Sequence, residues 1–140
     1  MILLDTNVIS EAMRPAPDTH ITLWINAQPL DTLYLSTITV AELRSGVVLL
    51  PAGKRRDTLH NSLELRILPQ FAGRILPFDF VCTSAYAKVL ATARKSGSGI
   101  ETADALIAAV AIANALRIAT RDTSPFLAAG AAIINPWESV

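Results

Sequence analysis

Four acidic residues stand at positions from which a parallel α/β sheet would bring them together. Asp5 directly follows a short apolar run at the start of the chain, and Asp122 follows a second apolar stretch, 117–120. Glu42 and Asp104 each fall in the first turn of a predicted helix. Strands of such a sheet end at the edge where the following helices begin, and ligands bind at that edge. All four carboxylates are therefore predicted to face the same rim.

Four converging carboxylates cannot all remain ionised without help, because two like charges about 4 Å apart repel by about 4 kcal/mol at an effective dielectric constant of ~20. Either some of them bind protons or a cation lies among them. His20 and His60 lie in other segments without metal-ligand spacing, and both are interpreted as surface or structural residues. An all-oxygen set of ligands favours Mg²⁺ or Mn²⁺, is compatible with Ca²⁺ and argues against Zn²⁺. Such ions serve phosphodiester hydrolysis, in which they polarise the phosphoryl oxygen and lower the pKa of the attacking water.

Each of these acids also has a purely structural interpretation. Asp5 could cap the helical turn that follows it, and Glu42 stands three residues after Thr39 in a capping-box pattern. Asp104 is a favourable charge in a first helical turn, and Asp122 could form an Asx-turn. These interpretations leave unexplained why four carboxylates share one edge of a domain with few charges.

The composition predicts one domain, 1–140, that is long enough for a full core. Of its 140 residues 51% are hydrophobic and 17% are charged, so the chain must bury much apolar surface or pair with another molecule. The formal net charge of zero removes any global attraction to nucleic acid. Local attraction is left to one compact basic cluster, Lys54-Arg55-Arg56, which is interpreted as a solvated turn.

The single cysteine, Cys82, excludes an internal disulfide framework and is predicted to be a small core residue. No apolar run approaches ~20 residues, so no transmembrane helix is expected. The N-terminus lacks the basic start and the cleavage site of a signal peptide. The cytoplasm is therefore the expected compartment, with no membrane partner.

Apolar periodicity predicts alternating strands and helices. The predicted strands cover 2–4, 33–35, 74–78, 117–120 and 132–134. The predicted helices cover 18–27, 37–50, 55–68, 79–96, 102–116 and 124–129. Asp79 is predicted to cap its helix, Pro69 to end the helix before it, and Ser98 with Glu101 to form a capping box. The alternation predicts an α/β fold in which a mostly parallel sheet is covered on both faces.

Four short motifs, in this order and at this spacing, are similar to those of the PIN-domain family. They are Asp5-Thr6-Asn7, Thr39-Val40-Ala41-Glu42-Leu43, Thr102-Ala103-Asp104 and Ala119-Thr120-Arg121-Asp122. More narrowly, the chain resembles the VapC-type toxins of bacterial type II toxin–antitoxin pairs. The segment 68–79 and the terminal Asn135-Pro136-Trp137 resemble the FitB branch of these toxins. The resemblance covers the whole chain.

The resemblance implies a single PIN domain, 1–140, with a three-layer α/β/α fold around a mostly parallel sheet of four to five strands. It also implies a metal-dependent endoribonuclease that hydrolyses RNA phosphodiester bonds. The acidic site would consist of Asp5, Glu42, Asp104 and Asp122, with Mg²⁺ as the cofactor and Mn²⁺ as an alternative. Asp5 and Asp104 would hold the metal most directly. Glu42 and Asp122 would complete the pocket, directly or through water.

Neighbouring residues are expected to support this site. The resemblance implies that Thr120 acts through its hydroxyl and Asn7 through hydrogen bonds within the pocket, whereas Arg121 could steer phosphate or face solvent. Many relatives carry a further acid two positions after the last one, where this chain has Ser124. That departure weakens the case for a second, well-held metal.

The resemblance further implies a cognate antitoxin that neutralises the toxin and carries the DNA-binding half, so that the complex binds its own promoter DNA. A toxin homodimer or a higher toxin–antitoxin assembly is also expected. The alternative is a PIN-like subunit whose main role is the complex on DNA, with little or no nuclease activity. A phosphate-transfer domain is disfavoured, because it needs a second aspartate or a late lysine where Asn7 and Arg121 stand.

Overall fold

Five short parallel strands form the central sheet of the computed structural model, which describes residues 1–138. The strands are β1 (Ile2–Leu4), β2 (Leu33–Ser36), β3 (Ile75–Leu76), β4 (Arg117–Ala119) and β5 (Ile133–Ile134). They lie in the order β3-β2-β1-β4-β5, and every neighbouring pair is parallel. The predicted mostly parallel sheet of four to five strands is confirmed.

Seven α-helices connect and cover these strands in the described part of the chain. They are α1 (Thr6–Ala12), α2 (Thr19–Ala27), α3 (Thr37–Val48), α4 (Lys54–Asn61), α5 (Phe80–Lys95), α6 (Thr102–Ala113) and α7 (Thr123–Ala128). A 3₁₀ turn, Leu30–Thr32, leads into β2. Parallel strands require such crossovers, because the chain must return to the same end of the sheet before each new strand.

The sheet separates two apolar cores, and β1 contributes to both. Ile2 and Leu4 are buried in the first core, whereas Leu3 is buried in the second. Successive side chains of a strand point to opposite faces, so a run of three apolar residues can serve two cores. Helices α1 to α4 supply side chains to the first core, and α5 to α7 supply them to the second. The expected three-layer α/β/α arrangement is confirmed.

The predicted helix starts are partly right. Asp79 caps α5, as predicted, and accepts a hydrogen bond from the Cys82 N–H. The predicted cap of α3 was wrong, because Ser36 rather than Thr39 is the N-cap, and the Ser36 hydroxyl accepts from the Thr39 N–H at 3.0 Å. Consequently Glu42 lies in the second turn of α3 rather than the first.

The predicted capping box before α6 was also wrong. Glu101 is itself the N-cap residue, with extended backbone angles and no capping hydrogen bond from its side chain. The helix therefore begins at Thr102, and Glu101 cannot occupy the third helical position that a capping box requires. Asp104 does lie in the first turn, as predicted.

The predicted helix over 55–68 changes its winding along its length. After α4 the chain forms a π-helical segment, Ser62–Ile67, and then a 3₁₀ turn, Leu68–Phe71. Pro69 was predicted to end the helix but lies in the first turn of the 3₁₀ segment. A proline is tolerated there because the missing N–H has no helical partner in a first turn.

The basic residues 54–56 were predicted to form a turn but begin α4 instead. Gly53 precedes them with φ of 156°, a value that favours glycine, and the helix starts directly after it. Lys54 and Arg55 are exposed, so the expected solvation is right and the expected turn is wrong.

Cys82 is buried in the second core, as predicted. Within residues 1–138, every helix is too short or too polar to span a bilayer.

Candidate active site

Asp5 lies at the carboxyl end of the central strand and is both a helix cap and a buried acid. Its Oδ1 accepts from the Thr6 N–H at 2.8 Å, which caps α1. Its Oδ2 accepts from the Thr120 hydroxyl at 2.8 Å and from the Asn7 side-chain amide at 3.3 Å. Only 5% of Asp5 is exposed. The capping role and the site role, which were opposed as alternatives, are therefore compatible.

Thr120 connects the end of β4 to the end of β1. Its buried hydroxyl donates to Asp5 and accepts from the Asn7 amide at 3.2 Å and from the Asp122 N–H at 3.1 Å. The Oδ1 of Asn7 accepts in turn from the Arg121 N–H at 3.3 Å. A hydroxyl with one donated and two accepted bonds is fully satisfied. The two residues predicted to support the site thus make the contacts that fix Asp5.

Glu42 reaches the rim from α3 and is held by a residue that the sequence had not singled out. The Thr6 hydroxyl donates to Glu42 Oε1 at 2.6 Å and lies 3.3 Å from the hydroxyl of buried Thr39. Thr6 begins α1, directly after Asp5, and α1 packs against α3. Nothing about a threonine between an acid and an amide distinguishes it by type, so only the packing of the two helices reveals the contact.

Asp104 is half-buried in the first turn of α6, and its pKa is raised from an ordinary 3.8 to about 6. Burial is the largest cause, and the negative charges of Asp5, Asp122, Glu101 and Glu42 add to it. Burial also raises the pKa of Asp5, against the hydrogen bonds from Thr120 and Thr6 and with the charges of Glu42 and Asp122. The four predicted acids are therefore close enough to act on one another electrostatically.

Asp122 is exposed at the start of α7 and does not form the Asx-turn weighed as its structural role. It is the N-cap residue by position, but its side chain makes no capping hydrogen bond. Its charge acts instead on Asp5 and Asp104. Arg121, which directly precedes Asp122, places its guanidinium over the Trp137 ring, 5.2 Å from the centroid.

The oxygen ligands at this rim suit a hydrated divalent ion better than a closed metal cage. Among residues 1–138, the structure contains no group of three histidine, cysteine or acidic side chains whose positions would enclose a metal ion. Mg²⁺ usually keeps several of its waters and binds through one or two carboxylates. A buried, fixed Asp5 beside an Asp104 of raised pKa fits that mode of binding, because a nearby cation would relieve their repulsion.

The whole chain is similar to proteins whose families are known. A family model described as PIN domain matches residues 2–131. The plasmid stability protein StbB of Pseudomonas syringae pv. tomato is 61% identical over 99% of this chain and 100% of its own length. The VapC ribonuclease Y4jK of Sinorhizobium fredii is 56% identical over 99% of both chains. The toxin FitB of Neisseria gonorrhoeae is 53% identical over 98% of this chain and 99% of its own.

A solved structure agrees with these sequence matches. The structure of FitAB bound to an IR36 DNA fragment superposes with a TM-score of 0.95 at 49% identity, covering 100% of this chain and 98% of that chain. The predicted resemblance to PIN-domain toxins of the VapC and FitB type is confirmed. This chain belongs to the PIN-domain family.

Proposed function

We propose that this chain is a metal-dependent endoribonuclease and the toxin of a type II toxin–antitoxin pair, with 1–140 acting as a single domain. The observation that carries the proposal is geometric: four carboxylates reach the carboxyl edge of one parallel sheet, where burial, and then the neighbouring negative charges, raise the pKa of Asp104 to about 6. Relatives named VapC ribonuclease and toxin FitB support the same activity.

Asp5 and Asp104 would hold Mg²⁺, or Mn²⁺ in its place, and the bound ion would supply Lewis-acid activation of water and of the scissile phosphate. Thr120 and Asn7 fix the Asp5 carboxylate in one orientation. Glu42, fixed by Thr6, and Asp122 would orient the attacking water at the rim. Hydrogen bonds therefore hold Asp5 and Glu42 in place, whereas Asp122 is exposed to solvent.

The partners proposed for this chain are a cognate antitoxin, an RNA substrate, promoter DNA bound through the antitoxin, and a second copy of the toxin. The similar FitAB structure, solved on a DNA fragment, supports the DNA complex. That structure is also the observation behind the second candidate function, in which the chain acts as a subunit of a DNA-bound complex. This candidate differs from the first in that little or no RNA cleavage is expected.

Cleavage of total RNA by the purified chain, freed of any co-purifying protein, distinguishes the two functions. The reactions contain Mg²⁺, Mn²⁺ or EDTA, and Asp5→Asn is compared with Asp31→Asn. Asp31 is exposed in the 3₁₀ turn before β2, at the amino end of that strand, and serves as a matched control. We expect discrete fragments that require metal, persist in the control and fall at least about 100-fold in Asp5→Asn. A folded chain that yields no fragments with either metal would favour the DNA-bound role.

A further inference from the structure

A groove of about 1160 Å³ lies between the end of α1, one side of α3 and the segment from α4 through the π-helical turn. Glu42 lines this groove and also belongs to the acidic rim. The groove therefore opens directly at the proposed active site, although most of its lining comes from other parts of the chain.

Basic side chains dominate the charge of this groove. Its lining contains three arginines, Arg14, Arg55 and Arg66, and a single acid, Glu42, which gives a net charge of +2 in a chain whose net charge is zero. Arg14 is 3.4 Å from Glu11 but is 67% exposed, so this ion pair holds it weakly. Arg44, which is bound to Glu64 by two hydrogen bonds, is not among the lining residues.

The rest of the lining is mostly small, polar or aliphatic. The π-helical turn contributes Leu65, 71% exposed, beside Arg66, and α4 contributes Leu59. Aromatic side chains, on which single-stranded bases usually stack, do not occur among the lining residues that the structure describes. Such a surface suits the charged backbone of a nucleic acid more than the faces or edges of its bases.

We propose that the phosphate backbone of the RNA substrate lies in this groove, bound by Arg14, Arg55 and Arg66, with the scissile phosphodiester at the acidic rim. The inference rests on the proposed ribonuclease function. Four carboxylates repel a polyanion, and a chain with no net charge has no overall field to oppose that repulsion. A local basic groove that ends at the acids supplies the missing attraction. Phosphate contacts fix the register of a strand without reading its sequence.

The test is binding of a short fluorescently labelled single-stranded RNA of mixed sequence to the full chain, followed by anisotropy in EDTA over a series of salt concentrations. Arg55→Gln and Arg66→Gln each remove a charge from the groove, and Arg55→Lys and Arg66→Lys keep it. Arg94→Gln is the matched control, because Arg94 is exposed in the last turn of α5, which packs on the other face of the sheet.

We expect each glutamine variant to lower the slope of log affinity against log salt by about 0.7 and to weaken binding roughly 5-fold at about 0.1 M salt. The lysine variants and Arg94→Gln should bind as the unaltered chain does. Far-UV circular dichroism confirms that each variant is folded.

Three results overturn the groove proposal. Glutamine variants that bind RNA as Arg94→Gln does would show that the strand lies elsewhere, even if the chain cleaves RNA. If the glutamine variants still bound RNA but no longer bound a purified antitoxin, the groove would be a protein-binding site. An unaltered chain that does not bind this RNA would overturn the groove, whereas the proposed ribonuclease is decided separately by metal-dependent cleavage of total RNA. Salt-dependent binding through the arginines without cleavage would support the groove while the proposed catalysis fails.

Discussion

The hydroxyl of Thr6 lies 2.6 Å from Oε1 of Glu42, a residue 36 positions further along the chain. The bond joins α1 to α3, the helices that follow the neighbouring strands β1 and β2. Glu42 is otherwise exposed, and an exposed glutamate samples several rotamers. Thr6 therefore acts as a positioning residue for the carboxylate that reaches the rim from α3.

Replacing Thr6 with valine removes this hydrogen bond at nearly constant volume. A hydrogen bond to a charged group contributes about 1.5–3 kcal/mol, and part of that is lost at an exposed site, so we expect kcat to fall about 10-fold. Thr6→Ser should keep most of the activity, because it keeps the hydroxyl. Steady-state cleavage of a defined RNA measures both variants. Equal rates for valine and serine would mean that Glu42 works without this contact.

Divalent ions should stabilise the folded chain through the acidic rim. A ligand at about 100 times its dissociation constant stabilises the native state by about 2.7 kcal/mol. We expect Mg²⁺ or Mn²⁺ to raise the midpoint of thermal unfolding for the unaltered chain and to have little effect on Asp104→Asn. Calorimetry with and without EDTA measures the difference. A full metal-induced shift in Asp104→Asn would remove Asp104 from the set of ligands, and Asp31→Asn provides the control that should respond normally.

The contribution of Asp104 to the stability of the metal-free chain should increase as the pH falls from about 7 to about 5. The pKa of Asp104 is about 6 in the folded chain and 3.8 ordinarily, so between these values the native state binds more protons than the unfolded state. The contribution of Asp104 is therefore fully present below 3.8 and is lost as the pH rises through about 6. Other groups titrate in the same range, but they are common to the unaltered chain and Asp104→Asn.

Urea unfolding in EDTA at several pH values isolates this contribution. The free energy of unfolding of the unaltered chain, minus that of Asp104→Asn, should be larger at the lower pH. A difference that stays constant over this range would place Asp104 in a better-solvated position, away from the other acids.

Thr120→Val should destabilise the fold as well as the site. The change removes one of the two hydrogen bonds to the buried Asp5 Oδ2 and the bonds that the Asn7 amide and the Asp122 N–H donate to the hydroxyl. Weakening the hydrogen bonding of a buried carboxylate in this way is expected to destabilise the fold by about 1–3 kcal/mol. Thr120→Ser keeps the hydroxyl and should stay close to the unaltered chain. Urea unfolding of both variants gives the comparison. Equal stabilities would mean that water replaces the hydroxyl at no loss.

The fold, and the approach of the four acids to one edge of the sheet, follow largely from local patterns in the sequence. A short apolar run followed directly by Asp5 marks β1, and the stretch that ends two residues before Asp122 marks β4. The first-turn position of Asp104 follows from the start of its alanine-rich helix. Parallel pairing then places these ends together without further information. The supporting roles expected of Asn7 and Thr120 came from motifs that the chain shares with a family. In the structure, both residues donate hydrogen bonds to the Asp5 carboxylate.

Other features depend on packing that no local pattern records. Ser36 and Thr39 are both good caps, and only the end of β2 decides that Ser36 caps α3. A spacing of four between Leu59, Leu63 and Ile67 suits an α-helix, so it did not predict the π-helical turn. The groove escaped prediction for the same reason, since Arg14 and Arg66 are far apart in sequence and meet only through the fold.

The central place of β1 in the sheet has a consequence for the growing polypeptide. Asp5 is made among the first residues, but its partner Thr120 follows 115 positions later, and β4 must pair with β1 before the two meet. Contacts between segments that are distant in sequence form late, because closing the long loop between them is entropically costly. A growing chain that does not yet include β4 therefore contains Asp5 without the hydrogen bond that Thr120 donates to it. The site as the structure shows it can therefore form only after synthesis has passed Thr120, long after Asp5 has been made.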